Sequence, residues 1–355
     1  MNTHLEELRK KLKEKNIEGM IVSNPINIRY LTGINAEGIL LLTRKENIFI
    51  TDSRYIEMVQ SIITIDDEVI ITNIKDVTME DYQNYFLFCE NVGFEEDYVT
   101  YTKYKDYMHR YRINNFVETE GIIERQRVRK DEEEINNIKK ACEITDKCFS
   151  HLLEFIKIGM TEKEVAHEIN GFFIKNGAEG LAFDTIVASG INSSKPHAIP
   201  TDKKIQNEDI ITIDMGCKYN GYCSDMTRTI FVGNTPENMK NIYNIVLKNQ
   251  EETLKRLYSG ANTRILFQMV DNGFKYYGLE LVHALGHGVG LDVHEAPIIG
   301  PKRENLLEEN MVITDEPGIY IPGKFGVRIE DTILITKNGY EVLTKSNKEI
   351  TTIKG

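Results

Sequence analysis

The stretch IDMGCKYNGYCSDMTRTI, residues 213–230, constrains the fold more than any other part of the chain. It reads as two strands joined by a turn around Tyr219, Asn220 and Gly221. Side chains alternate along a strand, so a loop with an even number of residues puts Asp214 and Asp225 on the same face. Like charges brought together on a sheet are destabilising, and one of the two holds its proton more tightly unless a cation neutralises the pair. A divalent metal resolves the conflict. A hairpin with its acids in water avoids it, and the loop length inferred from sequence leaves both readings open.

A second hairpin is written into NMVITDEPGIYIPGKFGVRIEDTILIT, residues 310–336, with Pro322 and Gly323 at its turn. An odd loop centred on Gly323 pairs Glu316 with Glu330 on one face and Asp315 with Asp331 on the other. Parity alone does not say which acidic pair faces inward. The third segment, HALGHGVGLDVHEAP, gathers His283, His287 and His294 among glycines at 286, 288 and 290. Glycine lets a backbone pass close to a ligand or another strand, and neutral imidazole is a common metal ligand. His4, His109, His151 and His167 stand alone and read as ordinary core or surface groups. Four carboxylates and one imidazole suffice for two metals side by side, and an oxygen-rich set favours manganese, cobalt or iron over thiolate-bound zinc. Two such ions would activate a water between them and polarise a scissile carbonyl.

Composition narrows the partners. The 355 residues carry 43 Lys and Arg against 55 Asp and Glu, a net charge of −12, which argues against nucleic acid or an anionic membrane as a partner. Five cysteines without a CxxC pair indicate neither a disulfide framework nor a thiolate zinc site, so a reducing cytoplasm is expected. No apolar leader or membrane-length apolar run is visible, so neither export nor a membrane span is expected.

Periodicity suggests two domains. Residues 3–16 read as an amphipathic helix on Leu5, Leu8 and Leu12, followed by a buried strand in EGMIVSN and a turn or short helix in NPINIRYLTG. GILLLTRKENIFITD reads as a hairpin, YIEMVQSI and YTKYKDYMHRY as helices, and DEVIITN and NFVET as strands. The charged stretch at 124–148 places Ile135, Ile138, Ala141 and Cys142 on one helix face and opens the second domain; its charges read as a solvated face. Beyond it, helical segments at 150–177 and 236–258 interleave with hairpins, an α+β pattern. The expected domains are 1–125, α/β, and 126–355, α+β.

With these segments in hand, the chain resembles the pita-bread metallopeptidases, the group of aminopeptidase P and prolidase, over nearly its whole length. The first domain resembles the creatinase-type domain of that group, and methionine aminopeptidases, which lack it, are more distant. The resemblance implies a metal set of Asp214, Asp225, His287, Glu316 and Glu330, and so turns the Glu pair of the second hairpin inward. It implies that Asp214 chelates one metal, that Asp225 and Glu330 bridge both, and that His287 and Glu316 hold the other. Glu316 would also be the general base. His197, in ASGINSSKPHAIP, with His283 and His294, would donate to the substrate and its oxyanion, and Arg328 would orient carboxylates. Phe183 and Ile186 match positions lining a proline pocket; plain core packing is the alternative. The implied cofactors are two divalent ions, Mn2+ first and Co2+ second, the implied partners are short proline-containing peptides, and the implied assembly is a homodimer.

Prolidases commonly carry an Arg just after the HExP segment, where this chain has Ile298, with Lys302 and Arg303 the nearest substitutes. That departure ranks hydrolysis of the Xaa-Pro bond at the N-terminus of short peptides above strict dipeptide cleavage. A non-catalytic metal-binding or interaction module on the same fold is the reading from a different class, although it leaves His197, His283 and His294 without a purpose.

Overall fold

The computed structural model describes residues 3–62, 69–234, 236–302 and 304–354, and the chain divides into two compact units, Met1–Arg127 and Val128–Gly355. The first unit runs α1 (Thr3–Glu14), β1 (Gly19–Val22), α2 (Pro25–Thr32), β2 (Ile39–Leu42), β3 (Asn47–Thr51), α3 (Ile56–Ile62), β4 (Val69–Asn73), α4 (Met79–Tyr85), β5 (Asn91–Phe94), α5 (Tyr101–Arg110), β6 (Asn115–Glu118) and α6 (Ile122–Arg127). Its strands form one sheet in the order β4-β3-β2-β1-β5-β6. The pairs β1–β2 and β2–β3 are antiparallel and the other neighbours are parallel.

NPINIRYLTG resolves into a helix because Asn24 caps it, Pro25 fits its first turn and Gly33 ends it in the left-handed conformation. Helix α4 and strand β5 went unread in the sequence, although Thr78 and Asp81 form a capping box at the start of α4. Of the expected strand in DEVIITN, Asp67 and Glu68 lie outside the described residues.

The second unit opens with α7 (Glu132–Phe155) and α8 (Glu162–Lys175), followed by β7 (Gly180–Leu181), β8 (Ile186–Ser189), β9 (Ile210–Met215), β10 (Cys217–Tyr219), β11 (Tyr222–Cys223) and β12 (Met226–Val232). Then come α9 (Glu237–Leu254), α10 (Thr263–Lys275), β13 (Gly286–Gly288), β14 (Glu295–Ile299), β15 (Val312–Asp315), β16 (Gly318–Ile321), β17 (Phe325–Arg328), β18 (Asp331–Thr336), β19 (Gly339–Val342) and β20 (Thr352–Ile353). Two larger sheets, β20-β12-β9-β8 and β14-β13-β15-β18-β19, carry most of the strands. Apolar faces of α7 and α8 share a core with β8, β9 and β12, while α9 and α10 share another with β15 to β18. Each helix buries one stripe against strands and leaves the other in water, as its periodicity requires.

The segment expected as one helix over 150–177 is two. Helix α7 ends at Phe155, Gly159 takes a positive φ of 92°, and Thr161 starts α8 with a capping box to Glu164. The apolar stripe continues across the break, which is why periodicity alone did not reveal it. Among the described residues no helix is long and apolar enough to cross a membrane.

Candidate metal centre and active site

Both hairpins adopt the parity their sequences imply. Strands β10 and β11 meet at a two-residue turn, Asn220 and Gly221, both with positive φ, and pair Tyr219 with Tyr222. The same register continues into β9 and β12, where Asp214 faces Thr227. Asp225 is therefore a diagonal neighbour of Asp214 on the same face. In the other hairpin Asp315 pairs with Asp331 and Ile321 with Phe325, which centres the turn on Gly323. The Glu316 and Glu330 pair sits in the gap between the strand pairs and turns to the side opposite the buried Asp331.

Strand β13 brings the imidazole. A Cβ on Gly286 or Gly288 would overlap the carbonyl oxygens of Thr314 and Ala296, so only glycine lets β13 lie this close to β15 and β14. His287, between them, places Nε2 at 3.6 Å from Asp225 Oδ2 and 3.4 Å from Glu316 Oε1. Its Nδ1 lies 3.1 Å from the Gly288 carbonyl oxygen. That contact keeps the proton on Nδ1 and aims the Nε2 lone pair at the two carboxylates. Burial pushes the His287 pKa down, so the ring is neutral and brings no charge of its own to the cluster.

The carboxylates are crowded. Ligand atoms of Asp225, His287 and Glu330, all buried, lie within 4.8 Å of one another. Asp225 has its pKa raised well above the usual range by burial and then by Glu330, Asp214 and Glu316. Glu330 is raised in the same way by burial, then by Glu316 and Asp214. Burial also raises Glu316, against the pull of His283 and Arg328. Asp214 Oδ1 is buried with no hydrogen-bond partner. Four carboxylates set against one guanidinium, Arg328, leave a formal surplus of three negative charges. An orphaned carboxylate oxygen, an imidazole lone pair and this surplus are what a divalent cation satisfies. The residues present therefore fit divalent metal.

Arg328 ties the cluster together from β17. Its Nη2 donates to Asp214 Oδ2 at 2.7 Å and its Nε to Thr227 Oγ1 at 3.0 Å. Thr227 Oγ1 in turn donates to Glu330 Oε2 at 2.7 Å. Arg328 Nη1 donates to the Tyr320 hydroxyl at 2.6 Å, and that hydroxyl lies 3.0 Å from His283 Nε2. His283 Nδ1 is 2.7 Å from the Ala284 carbonyl oxygen, so Nε2 is left to accept from Tyr320. A continuous chain thus runs from Asp214 through Arg328 and Tyr320 to His283. Tyr320 and Thr227 were not singled out from sequence. Their strand positions, on β16 and β12, carried a signal only once the register was known.

The remaining expected residues lie around this centre. The His294 ring is exposed and stands 4.4 Å from the His287 ring, and exposed His197 is close enough to His283 to disfavour its protonation. Ile186 is the cross-strand partner of Asp214, so its half-buried side chain shares the face of that carboxylate. Phe183 is half-buried and packs onto Gly216 beside a core cluster. Ile298 is the cross-strand partner of His287. Lys302 is exposed, and Arg303 lies outside the described residues.

Comparison with known proteins identifies the family. Residues 136–337 match the model of metallopeptidase family M24, and residues 4–129 match the creatinase/prolidase N-terminal domain. The Xaa-Pro dipeptidase of Pyrococcus furiosus is 37% identical, with 99% of this chain and 100% of that protein covered. A structure of Xaa-Pro dipeptidase from Bacillus anthracis superposes with a TM-score of 0.92 at 37% identity, covering 98% of this chain and 99% of that one. X-Pro aminopeptidase from Thermotoga maritima superposes with a TM-score of 0.89 at 32% identity, covering 97% and 100%. The fold is thus the pita-bread catalytic domain preceded by a creatinase-type domain, and the chain belongs to metallopeptidase family M24.

Proposed function

We propose that this metallopeptidase is a prolidase that hydrolyses Xaa-Pro dipeptides, with manganese as the first-choice metal and cobalt the second. The observation that carries the reading is the buried convergence of Asp214, Asp225, Glu316 and Glu330 on one neutral imidazole. The name Xaa-Pro dipeptidase, borne by full-length relatives from Pyrococcus furiosus and Bacillus anthracis, supports dipeptide substrates over the longer peptides ranked first from sequence. Ile298, an apolar residue beside His287, and the Thermotoga maritima X-Pro aminopeptidase favour the second reading, removal of an N-terminal residue from longer peptides.

Asp214, Asp225, His287, Glu316 and Glu330 would hold a pair of ions, which changes the formal surplus from three negative charges to one positive. Bound there, the ions would supply Lewis acidity and a water acidified toward neutrality. Glu316 would take the proton that such a water gives up as it attacks the peptide carbonyl. Its Oε1 makes long contacts, 3.4 Å each, to Thr314 Oγ1 and His287 Nε2. The same carboxyl then returns the proton to the prolyl nitrogen, which must leave as an amine. His197 and His294, both exposed beside the centre, donate to the substrate and its developing oxyanion. His283 acts with Tyr320, whose hydroxyl it shares with Arg328. Ile186 offers apolar surface next to Asp214 for a compact ring without an N–H, with Phe183 completing that wall.

Five unpaired cysteines support a reducing compartment, the cytoplasm. The net charge of −12 supports peptides rather than nucleic acid or membrane as partners. A homodimer is the proposed assembly, checked by sedimentation.

The discriminating assay offers a Xaa-Pro dipeptide and a Xaa-Pro tripeptide side by side to manganese-loaded protein. Faster turnover of the dipeptide is expected. A silent dipeptide with a cleaved tripeptide reverses the ranking, and silence toward both favours a non-catalytic metal-binding module.

A further inference from the structure

The segment that joins β8 to β9 carries His197, and one buried carboxylate ties it down on both sides of that residue, at Ser189 and at Thr201. Glu162, the first residue of α8, is fully buried. Its Oε1 accepts from the Ser189 backbone N–H at 2.7 Å and from Ser189 Oγ at 2.9 Å, where the segment begins. Its Oε2 accepts from the Thr201 backbone N–H at 2.9 Å and from Thr201 Oγ1 at 2.6 Å, four residues past His197. Asn192 Nδ2 bridges both oxygens at 3.1 Å. Ser189 Oγ also accepts from Lys203 Nζ at 2.9 Å, so a cation backs the carboxylate through one hydroxyl.

Burial alone would raise the Glu162 pKa, yet the bonds from Thr201, Ser189 and Asn192 hold it below the usual carboxylate range. A buried acceptor with this many donors is costly to disturb, because each donor left unpaired loses its solvation without replacement. The opposite side of the segment rests on β17: Gly326 N–H donates to Ser193 Oγ at 2.9 Å, and Arg328 Nη1 donates to the Pro196 carbonyl at 3.3 Å. The residue before His197 is thereby linked to the guanidinium that holds Asp214.

We propose that Glu162 is a positioning residue for substrate: by closing residues 189–201 into a fixed loop, one carboxylate sets where His197 meets the peptide. The proposal rests on the reading that His197 faces substrate. None of the partners of Glu162 is a member of the metal set, so the carboxylate governs the placement of His197 and leaves metal binding alone.

The test uses full-length, manganese-loaded protein with four variants, Glu162→Gln, Thr201→Val, His197→Ala and the Glu162→Gln/His197→Ala double. Three quantities are measured: kcat/KM on a Xaa-Pro dipeptide, metal content, and amide hydrogen exchange over residues 189–201. Glu162→Gln is expected to lower kcat/KM roughly tenfold, since an amide presents donors to donors. Exchange over the loop accelerates and manganese content stays unchanged. With His197 already removed, the same substitution costs less than about twofold, because the two act through one contact. Thr201→Val, which deletes a single hydroxyl near the surface, moves both readouts in the same direction by less, and decides the matter if Glu162→Gln does not fold. Additive losses, or unchanged loop exchange, overturn the role given to Glu162 while leaving His197 at the substrate. A His197→Ala variant with unchanged kcat/KM overturns the substrate-side role of His197 and this proposal with it.

Discussion

Asp225 and Glu330 bring more negative charge into the interior than one guanidinium can balance, and their behaviour toward protons follows from that. In metal-free protein both carry pKa values raised by burial and mutual repulsion. The stability they contribute is then full below the unfolded carboxylate range and is lost as pH rises through their folded values. Divalent cations replace those protons, so the difference in Tm between metal-loaded and chelated protein should widen between about pH 5 and about pH 8. Calorimetry in buffers of different ionisation enthalpy should also register proton release on metal binding. A constant difference in Tm across that range would mean that the cluster is not where the metal sits. Glu316→Gln keeps the shape of the side chain but removes its capacity to take a proton; kcat should fall by about 10²- to 10⁴-fold while far-UV circular dichroism is unchanged. At this scale the sequence was informative about identity and mute about contacts. The pairing of Asp214 with Asp225 and of Glu316 with Glu330 followed from strand parity, because alternation is a backbone property. Parity left Asp315 and Asp331 as equal candidates, and only the family resemblance turned the Glu pair inward. Tyr320 and Thr227 were not legible, because a hydroxyl on a strand acquires meaning only from what the neighbouring strand puts opposite it.

Among the elements, the hairpin of β16 and β17 presses directly on the loop that carries His197. A Cβ on Gly326 would overlap the Ser193 carbonyl oxygen, which is backbone and cannot rotate aside. Gly326→Ala should therefore destabilise the protein by about 1–3 kcal/mol in urea unfolding and lower kcat/KM as well, since loop and hairpin must part. At the start of β18, in the neighbouring five-stranded sheet, Asp331 is buried and accepts from Arg228 Nη2 at 2.7 Å and from Lys348 Nζ at 2.6 Å. Burial would raise its pKa, and the two cations reverse that and hold it low. Asp331→Asn leaves the buried Arg228 guanidinium without its counter-charge, and urea unfolding should register a loss of about 3–5 kcal/mol. The register of this hairpin was legible because Pro322 and Gly323 mark its turn. The break between α7 and α8 was not, because apolar spacing persists through Ile156 and Ile158 while the backbone turns at Gly159. Helix α4 escaped notice for a related reason: it is short and mostly exposed, with Tyr82 its one buried side chain, so its capping box was the only local signal.

For the molecule as a whole, an α/β unit followed by an α+β unit was expected with its boundary at residue 125, where helix–strand alternation gives way to hairpins between long helices, and the two compact units divide after Arg127. What distinguishes a dipeptidase from an aminopeptidase could not be read there, since Ile298 supplies one local clue whereas the full-length relatives supply another. Metal is the condition of the proposed activity. That requirement is tested most directly by stripping the protein with a chelator, restoring manganese in steps and following hydrolysis of a Xaa-Pro dipeptide against metal bound per chain. No turnover is expected in the stripped protein, with recovery that saturates near about two ions per chain. Full turnover without metal, or none at any loading, would contradict that expectation.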